Sequence, residues 1–538
     1  MSKNLSELSA RKGLENNLFE NLSISGINKK QIAKDFLIGE SSVTGTISFY
    51  DFLKEENKNK KVYICNGSAC LCAGTQDGLS TQLEKHFGKD EIGHMTCLGR
   101  CHENSAFHFK GKNYSALNNE QIDQVINNQD TDIATDNYHC DSIGEKILTA
   151  QPLISKQILL AFENILKQGK EQTLAAIKQS QLRGRGGAGF PIGFKLESAM
   201  NTESEQKYII CNADEGDPGA YSDRYLLEQQ PYSVLFGMMV SAYIIGAQYG
   251  VLYIRAEYPE AIKIIDDSIN KLTPMIEAMD FDFKFKIISA QGAYICGEET
   301  ALINSIEGQR PEVRTRPPFP TQQGLFNQPT VVNNVETLAS IHTIVTRGGD
   351  FYSSLGTEKS KGTKLVSLDS FFNNPGVYEV AMGTPLTQVF EQLGGGFKQD
   401  IKAVHIGGPL GGIVPTNKIT DLSIDFESFT NNGFLLGHAS VVCIPKELPM
   451  IKYLQHLFEF AAYESCGKCF PCRLGTKRGE ELLTNAIKHG DKIDRQLFND
   501  LLDTLEQGSL CAHGGGIPLP VKNALVYFSG ELEEWFLG

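Results

Sequence analysis

Eight of the chain's thirteen cysteines fall into two tight groups. The first is Cys65-x4-Cys70 with Cys97-x3-Cys101. Four thiolates on two loops can close around zinc or an iron–sulfur cluster. Structural zinc more often uses CxxC knuckles, and both spacings here are wider. A [2Fe–2S] rhomb gives each of its two irons a separate pair, which suits this layout. The spacing favours [2Fe–2S] and leaves zinc open; Cys72 reads as packing. The second group is Cys466-x2-Cys469-x2-Cys472, with Cys511 at a distance. Three thiolates in seven residues hold three corners of a cubane and a remote cysteine takes the fourth, so this group reads as a [4Fe–4S] site. Lys468, Arg473, Lys477 and Arg478 stand beside it. They either offset the cluster's negative charge and raise its potential, or form an ordinary solvated helix start. Two clusters of different nuclearity imply electron transfer, and the middle of the chain must supply the electrons. The competing class is a zinc-stabilised scaffold without redox activity.

In the middle, "RGRGGAGFPIGFK" contains Gly184-x-Gly186-x-x-Gly189, the spacing of a dinucleotide-binding fingerprint. That fingerprint counts only between a strand and a helix. "EQTLAAIKQSQL" before it has helical spacing, so the required context fails. Yet glycines 184, 186, 187, 189 and 193 sit among Arg183, Arg185 and Lys195. Glycine-freed backbone N–H groups plus cations suit a phosphate. "CNADEGDPGAYSD" gathers Asp214, Glu215, Asp217 and Asp223 after a strand, either for a metal or to grip ribose and flavin polar groups. "GAYICGEETALINSIEG" sets Gly292, Gly297, Glu298 and Glu299 at the start of an apolar helix. Those carboxylates either bind a ligand or simply favour the positive helix end. "PPFPTQQG" frames Phe319 in prolines, and "VVNNVETLA" brings two adjacent amides, Asn333 and Asn334.

The elements that must position these residues follow from periodicity. Residues 1–58 read as a polar helical segment. Residues 59–130 alternate short strands and helices, with a hairpin at "AFHFKGKNYSAL". Residues 131–146 lack periodicity and read as a linker. Residues 147–360 are α/β, with strands at "KYIICNAD", "GVLYIRAEY" and "FDFKFKIISA". Residues 361–446 form a glycine-rich β region with a helix at "LTQVFEQLGG", and residues 447–538 are helical. The longest apolar run, "YSVLFGMMVSAYIIGA", is too short and too interrupted for a membrane span of about 20 residues, so it reads as a core helix.

These segments together reach a resemblance that covers essentially the whole chain. "RGRGGAGFPxGxK", "CNADExxPG", "GAYICGEETAL", "NNVETLA" and "SCGKCxPCRxGT" resemble the flavin-bearing, NADH-oxidising subunit of respiratory complex I. Here it is fused behind its thioredoxin-like [2Fe–2S] partner, as in the diaphorase subunits of NAD-linked soluble hydrogenases and formate dehydrogenases. The resemblance implies a multidomain α/β protein. Its parts would be a helical segment, a thioredoxin-like ferredoxin domain, a Rossmann-like FMN/NADH domain, a β-grasp domain (361–446) and a helical [4Fe–4S] domain. It implies FMN held by Gly184, Arg185, Gly186, Gly187, Lys195, Asn212, Asp214, Tyr294, Gly297, Asn333 and Asn334. It implies NADH contacts from Phe190, Asp217, Glu298, Glu299 and Phe319. A third adenine-stacking aromatic is missing near its expected place, Ser198. "DEGDPG" has Asp217 where the respiratory subunits have glutamate, which is closer to the hydrogenase and formate dehydrogenase fusions. An acid there opposes a ribose 2′-phosphate, favouring NAD over NADP.

The implied reaction is hydride exchange between nicotinamide and flavin in either direction, followed by single-electron transfer through [4Fe–4S], with [2Fe–2S] as a side carrier. No side chain is needed as a general base. The partners implied are other redox subunits carrying further clusters and a terminal catalytic site. A formate dehydrogenase or hydrogenase is favoured over a complex I-type assembly. The net charge of −14 argues against nucleic acid. No signal segment is visible, so a cytoplasmic protein without disulfides is expected.

Overall fold

The computed structural model describes residues 13–14, 18–22, 28–128, 136–279 and 281–537. Among the described residues, short helices at Leu18–Leu22, Lys29–Asp35 and Glu40–Ile47 come first. They are fastened to the central domain rather than free. The Tyr50 hydroxyl donates to Ser305 Oγ at 2.9 Å. The Asp51 and Phe52 amides donate to the carbonyls of Gly292 and Gln291.

The first α/β unit is a four-stranded sheet of β1 (Val62–Cys65), β2 (Ile92–Met95), β3 (Phe107–Phe109) and β4 (Lys112–Tyr114), ordered β2-β1-β3-β4. β1 and β2 are parallel, and β3–β4 is the expected hairpin. Val62, Ile64, Phe107 and Phe109 pack with Leu79 and Leu83 of the covering helix. Cys65 ends β1 and Cys70 lies on the short helix Ser68–Ala73 that follows, while Cys97 and Cys101 lie on the loop after β2, all at one end of this small core.

The segment expected to be a linker contains a strand, β5 (His139–Ile143). Residues 129–135 lie outside the described residues. β5 is polar and largely exposed, so it has no hydrophobic alternation to betray it. Its pairing is made by backbone alone, parallel to a strand some 240 residues later. Gly376 is required there, because a Cβ would stand 2.2 Å from the His139 carbonyl oxygen.

The central domain holds a fully parallel sheet of β6 (Tyr208–Ala213), β7 (Tyr249–Ile254), β8 (Lys284–Ser289) and β9 (Thr330–Asn334), ordered β8-β7-β6-β9. Parallel sheets are buried on both faces, which explains the apolar runs. Ile209, Cys211, Leu252 and Val331 pack on the helix face with Pro231–Ile245 and Val335–Arg347. Alternate residues Ile210, Val251, Tyr253 and Val332 pack on the other face with Ala301, Leu302 and Ile303. The run read as a core helix is Pro231–Ile245, almost wholly buried. Among the described residues, no helix is long and apolar enough to cross a membrane.

From β6 the chain moves outward through β7 to β8, then returns to place β9 on the other side of β6. This reversal opens a crevice at the carboxyl ends of β6 and β9, where open α/β sheets bind ligands.

β10 (Thr363–Leu368), β11 (Gly376–Ala381), β12 (Ile401–Ile406), β13 (Gly412–Pro415) and β14 (Ser440–Pro445) form a mixed sheet with β5, ordered β13-β12-β14-β10-β11-β5. The C-terminal region is helical, led by Met450–Tyr463, Phe470–His489 and Arg495–Gly508. Gly479 lets the first two helices approach, since a Cβ would stand 2.2 Å from the Phe458 ring.

Candidate flavin site and iron–sulfur centres

The glycine loop follows helix Lys170–Ser180, so no strand precedes it. It closes on itself: the Gly184 amide donates to Phe190 O at 2.8 Å, and Arg183 Nε donates to Gly189 O at 2.7 Å. Its tip lies against the end of β9. A Cβ on Gly186 would stand 3.1 Å from Asn334 Cβ. Gly187 adopts φ +117° and Gly189 φ +61°, conformations that glycine takes without strain. The loop therefore reaches the β6/β9 crevice from outside the sheet.

Arg185 does not point into that crevice. Its guanidinium is fully buried beneath the loop and donates to Tyr352 Oη at 3.1 Å and Lys361 O at 2.5 Å. Glu336 lies 4.0 Å from its Nε and is ion-paired with Lys364, all three side chains being wholly buried. Arg185 and Lys364 thus flank one buried carboxylate beneath the glycine loop.

Two buried polar atoms at the strand ends have no protein partner: Asn333 Nδ2 and Asp214 Oδ2. Orphaned buried groups are costly unless something satisfies them. Burial pushes the Asp214 carboxyl up to about 8, against the pull of Arg255, so at neutral pH it can donate as well as accept. A polar ring system such as flavin fits this pair. Asn212 donates to Gly297 O at 2.8 Å and so draws Gly297 to the same end of β6. Lys195 Nζ sits between Val332 O and Glu299 Oε2, 3.0 Å from each.

Other expected contacts are already engaged within the protein. Asn334 caps helix Val335–Arg347 and donates to Asp223 Oδ2 at 2.6 Å. Glu298 caps helix Glu299–Ile306 and is ion-paired with Arg316. Tyr294 Oη donates to Asp217 Oδ1 at 2.7 Å. Gly408, from the mixed sheet, closes over that carboxylate; a Cβ there would meet it at 2.3–2.5 Å. Phe190 and Phe319 are each 52% exposed, and Phe194 is 60% exposed. Phe194 stands on helix Ile192–Asn201, which Ser198 ties to the Phe319 segment through Thr321 Oγ1 at 3.0 Å. It supplies a third aromatic four residues before the position where one was expected.

The first cysteine group is buried and elongated. Cys97 and Cys101 Sγ lie 3.2 Å apart. Cys65 contacts both Cys70 and Cys97. Around one zinc, bonds of 2.3 Å would put all four sulfurs within about 3.8 Å of one another. Among the described residues, the only His, Cys, Asp and Glu group with ligand atoms mutually within 4.8 Å is Glu215, Asp223 and His438. The four sulfurs thus form a buried row, Cys70–Cys65–Cys97–Cys101, in which each pair can hold one iron of a [2Fe–2S] cluster. In the second group, Cys469 precedes helix Phe470–His489 and Cys511 precedes helix Ala512–Gly516. Burial holds the Cys472 thiol up at about 11 and Cys511 at about 12; Cys466 lies close enough to both to add to this. Thiols of this kind release their protons when they bind iron as thiolates. Of the neighbouring cations, Lys477 and Arg478 pair with Glu480 and Glu481 on the helix surface, and Lys468 faces Glu312 at 3.7 Å. For Lys477 and Arg478 the solvated reading holds.

Three family models match the chain. The thioredoxin-like [2Fe–2S] ferredoxin covers residues 20–130, the Nuo51 FMN-binding domain 177–343, and the NADH-ubiquinone oxidoreductase-F iron–sulfur binding region 452–535. The NADP-reducing hydrogenase subunit HndC of Solidesulfovibrio fructosivorans is 41% identical over 378 residues, covering 69% of this chain and 77% of its own. The NAD-reducing hydrogenase HoxS subunit alpha of Cupriavidus necator is 31% identical over 535 residues, covering 93% and 87%. A crystal structure of NAD⁺-reducing [NiFe]-hydrogenase in the H₂-reduced state matches with TM-score 0.86 at 27% identity, over 97% of this chain and 92% of that one.

The chain belongs to the family of NADH-oxidising FMN and iron–sulfur subunits. Its cofactors are FMN, one [2Fe–2S] and one [4Fe–4S] cluster, with NAD(H) as substrate. Four of the motifs that carry the family resemblance lie at the β6/β9 crevice and its rim, and the fifth, "SCGKCxPCRxGT", supplies the second cysteine group. Sequence reasoning missed Gly408 and His438, which come from the mixed sheet. It also missed the inward turn of Arg185 and the exposure of Phe194 near the Phe319 segment. Only the exposed aromatic two residues past the loop could have signalled Phe194.

The same geometry links the flavin crevice to the [4Fe–4S] region. Tyr294, bound to Asp217, also donates its amide to Glu464 at 2.9 Å, two residues before Cys466. Its ring packs on Phe460 and His513 of the [4Fe–4S] domain.

Proposed function

We propose that this subunit exchanges electrons between NAD(H) and a separate iron–sulfur protein that docks over the [4Fe–4S] centre. The observation that carries this is the contrast between the two cluster sites. Cys65, Cys70, Cys97 and Cys101 are at most 2% exposed, with Leu71 beside them at 36%; Cys466 and Cys472 are also buried, at 6% and 5%, so the contrast lies in the apolar side chains around each site. Beside the other site stand Phe470 at 74%, Leu474 at 60% and Leu510 at 51% exposure. Phe470 and Leu474 are four residues apart and share a helix face. Grouped exposed apolar side chains mark protein contact surfaces. The [2Fe–2S] centre is enclosed as a side carrier, and the [4Fe–4S] centre is the exit.

FMN held in the crevice would supply the conversion between hydride and single-electron transfer. Gly184, Gly186, Gly187 and Lys195 hold its phosphate end, while Asn212, Asp214, Tyr294, Gly297 and Asn333 line its ring. Phe190, Phe194 and Phe319 grip the nucleotide's adenine, and Glu299 takes a ribose. Asp217 and Glu299 oppose a 2′-phosphate by like charge. The near full-length likeness to a hydrogenase subunit supports a hydrogenase or formate dehydrogenase setting over complex I. The many clustered thiols support the cytoplasm as its compartment.

The test is Phe470→Glu with Leu474→Glu. NADH-driven ferricyanide reduction should remain, while reduction of the co-purified partner's clusters is lost. Retained delivery to the partner would place the exit elsewhere.

A further inference from the structure

Cys101 receives a hydrogen bond from outside its own domain. The Gly219 amide donates to Cys101 Sγ at 3.2 Å, and both residues are buried. Gly219 ends the acidic loop whose other end, Asp214, lies in the flavin crevice. The loop is firmly held. Gly216 N donates to Asp214 O and Ala220 N to Asp217 O, both at 2.9 Å. The Asp217 carboxylate is tied to Tyr294. Gly219 adopts φ +95°, and a Cβ there would stand 2.7 Å from Val442 Cγ2. The mixed sheet thus packs against the back of this amide while its N–H faces the sulfur. The same sheet holds the Cys101 main chain, since Ser370 N donates to Cys101 O at 3.1 Å. Within the small domain itself, Gly99 N donates to Cys97 Sγ over a longer 3.4 Å.

We propose that Gly219 is a positioning residue that raises the potential of the [2Fe–2S] cluster. The proposal rests on the four-cysteine site being that cluster. Reduction adds one electron and increases negative charge on the sulfurs. A donor aimed at a ligand sulfur stabilises the reduced form, so hydrogen bonds to sulfur set cluster potentials. The FMN domain thereby tunes a cluster whose ligands it does not supply. Docked, the small domain is a better electron acceptor than its own sequence alone would make it.

The test is an anaerobic redox titration of full-length protein, followed by electron paramagnetic resonance. Gly219→Ala and the roomier Gly219→Ala/Val442→Ala variant are compared with wild type. Either variant should lower the reduced-to-oxidised ratio of [2Fe–2S] about tenfold at a given ambient potential, 59 mV for one electron. The [4Fe–4S] midpoint should not move. Wild-type protein labelled with [¹⁵N]glycine should show two distinct nitrogen couplings to the reduced [2Fe–2S] cluster, from Gly99 and Gly219. No glycine coupling in wild type overturns the proposal even if neither variant folds, and so does a wild-type pattern that a folded Gly219 variant, which lacks the labelled nitrogen, leaves unchanged. An unchanged midpoint in a folded variant overturns it too. Absence of any [2Fe–2S] signal would instead bring down the cluster assignment on which it stands.

Discussion

Glu336→Gln probes the buried charge seam under the glycine loop. Glu336, Lys364 and Arg185 are all wholly buried. Glu336 Oε1 also accepts the Leu365 amide at 3.1 Å. Glutamine keeps the shape and that hydrogen bond, so only the charge is lost. Two buried cations would then face no carboxylate. Breaking a buried pair by removing one partner costs about 3–5 kcal/mol, because the other charge stays desolvated. At about 2–4 °C per kcal/mol for a domain of this size, the midpoint of thermal unfolding should fall by about 6–20 °C. Circular dichroism reads the midpoint. Amide exchange over 335–347 and 363–368 localises the loss to the seam. Adding Lys364→Met removes the stranded ammonium and should recover most of the deficit, since apolar replacement of a whole buried pair is often neutral. A single variant within about 1 kcal/mol of wild type would refute the view that these charges balance one another.

Four further outcomes can be checked directly. Cys469→Ser should reduce iron from about six to about two per chain by metal analysis, leaving the [2Fe–2S] spectrum intact. Gly186→Ala brings a methyl to 3.1 Å from Asn334 Cβ and should weaken FMN binding by about tenfold in a fluorescence titration. Phe319→Ala should raise the KM for NADH about 2- to 10-fold with FMN content unchanged, the worth of one aromatic stacking contact. Burial pulls the His438 pKa down, but Asp223 outweighs it and leaves the imidazole at about 9. Its stabilisation is then complete below the unfolded value of about 6.5 and is lost as pH rises through 9. The urea-midpoint gap between wild type and His438→Gln should therefore be widest near pH 6 and closed by pH 10.

The cysteine centres were legible because their spacing is fixed by covalent chain length, and a cluster leaves little choice of ligand. β6, β7 and β8 were legible because a doubly covered parallel strand must be apolar throughout. The failed fingerprint was also readable, since "EQTLAAIKQSQL" carries a helical period. Arg185 was misdirected because residue type tells nothing of which side of a glycine loop a guanidinium takes. Glu298 and Asn334 look like ligand groups from their polarity, yet both act as helix caps. The sequence cannot say which demand comes first. His438 and Gly408 escaped because they enter from a sheet folded about 200 residues downstream of the acidic loop. β5 escaped because an exposed strand held by main-chain bonds leaves no side-chain pattern.

β5 also changes how the two halves of the molecule are coupled. It belongs to the outer edge of the mixed sheet, so the chain that leaves the ferredoxin unit at Asn128 is paired to a distant part of the body by His139, eleven residues on. A tether that short holds its cargo at millimolar local concentration. The ferredoxin unit can therefore remain seated through a contact that two separate chains would find too weak to keep. Cleaving the chain ahead of His139 would turn this internal equilibrium into an ordinary, dilution-sensitive one.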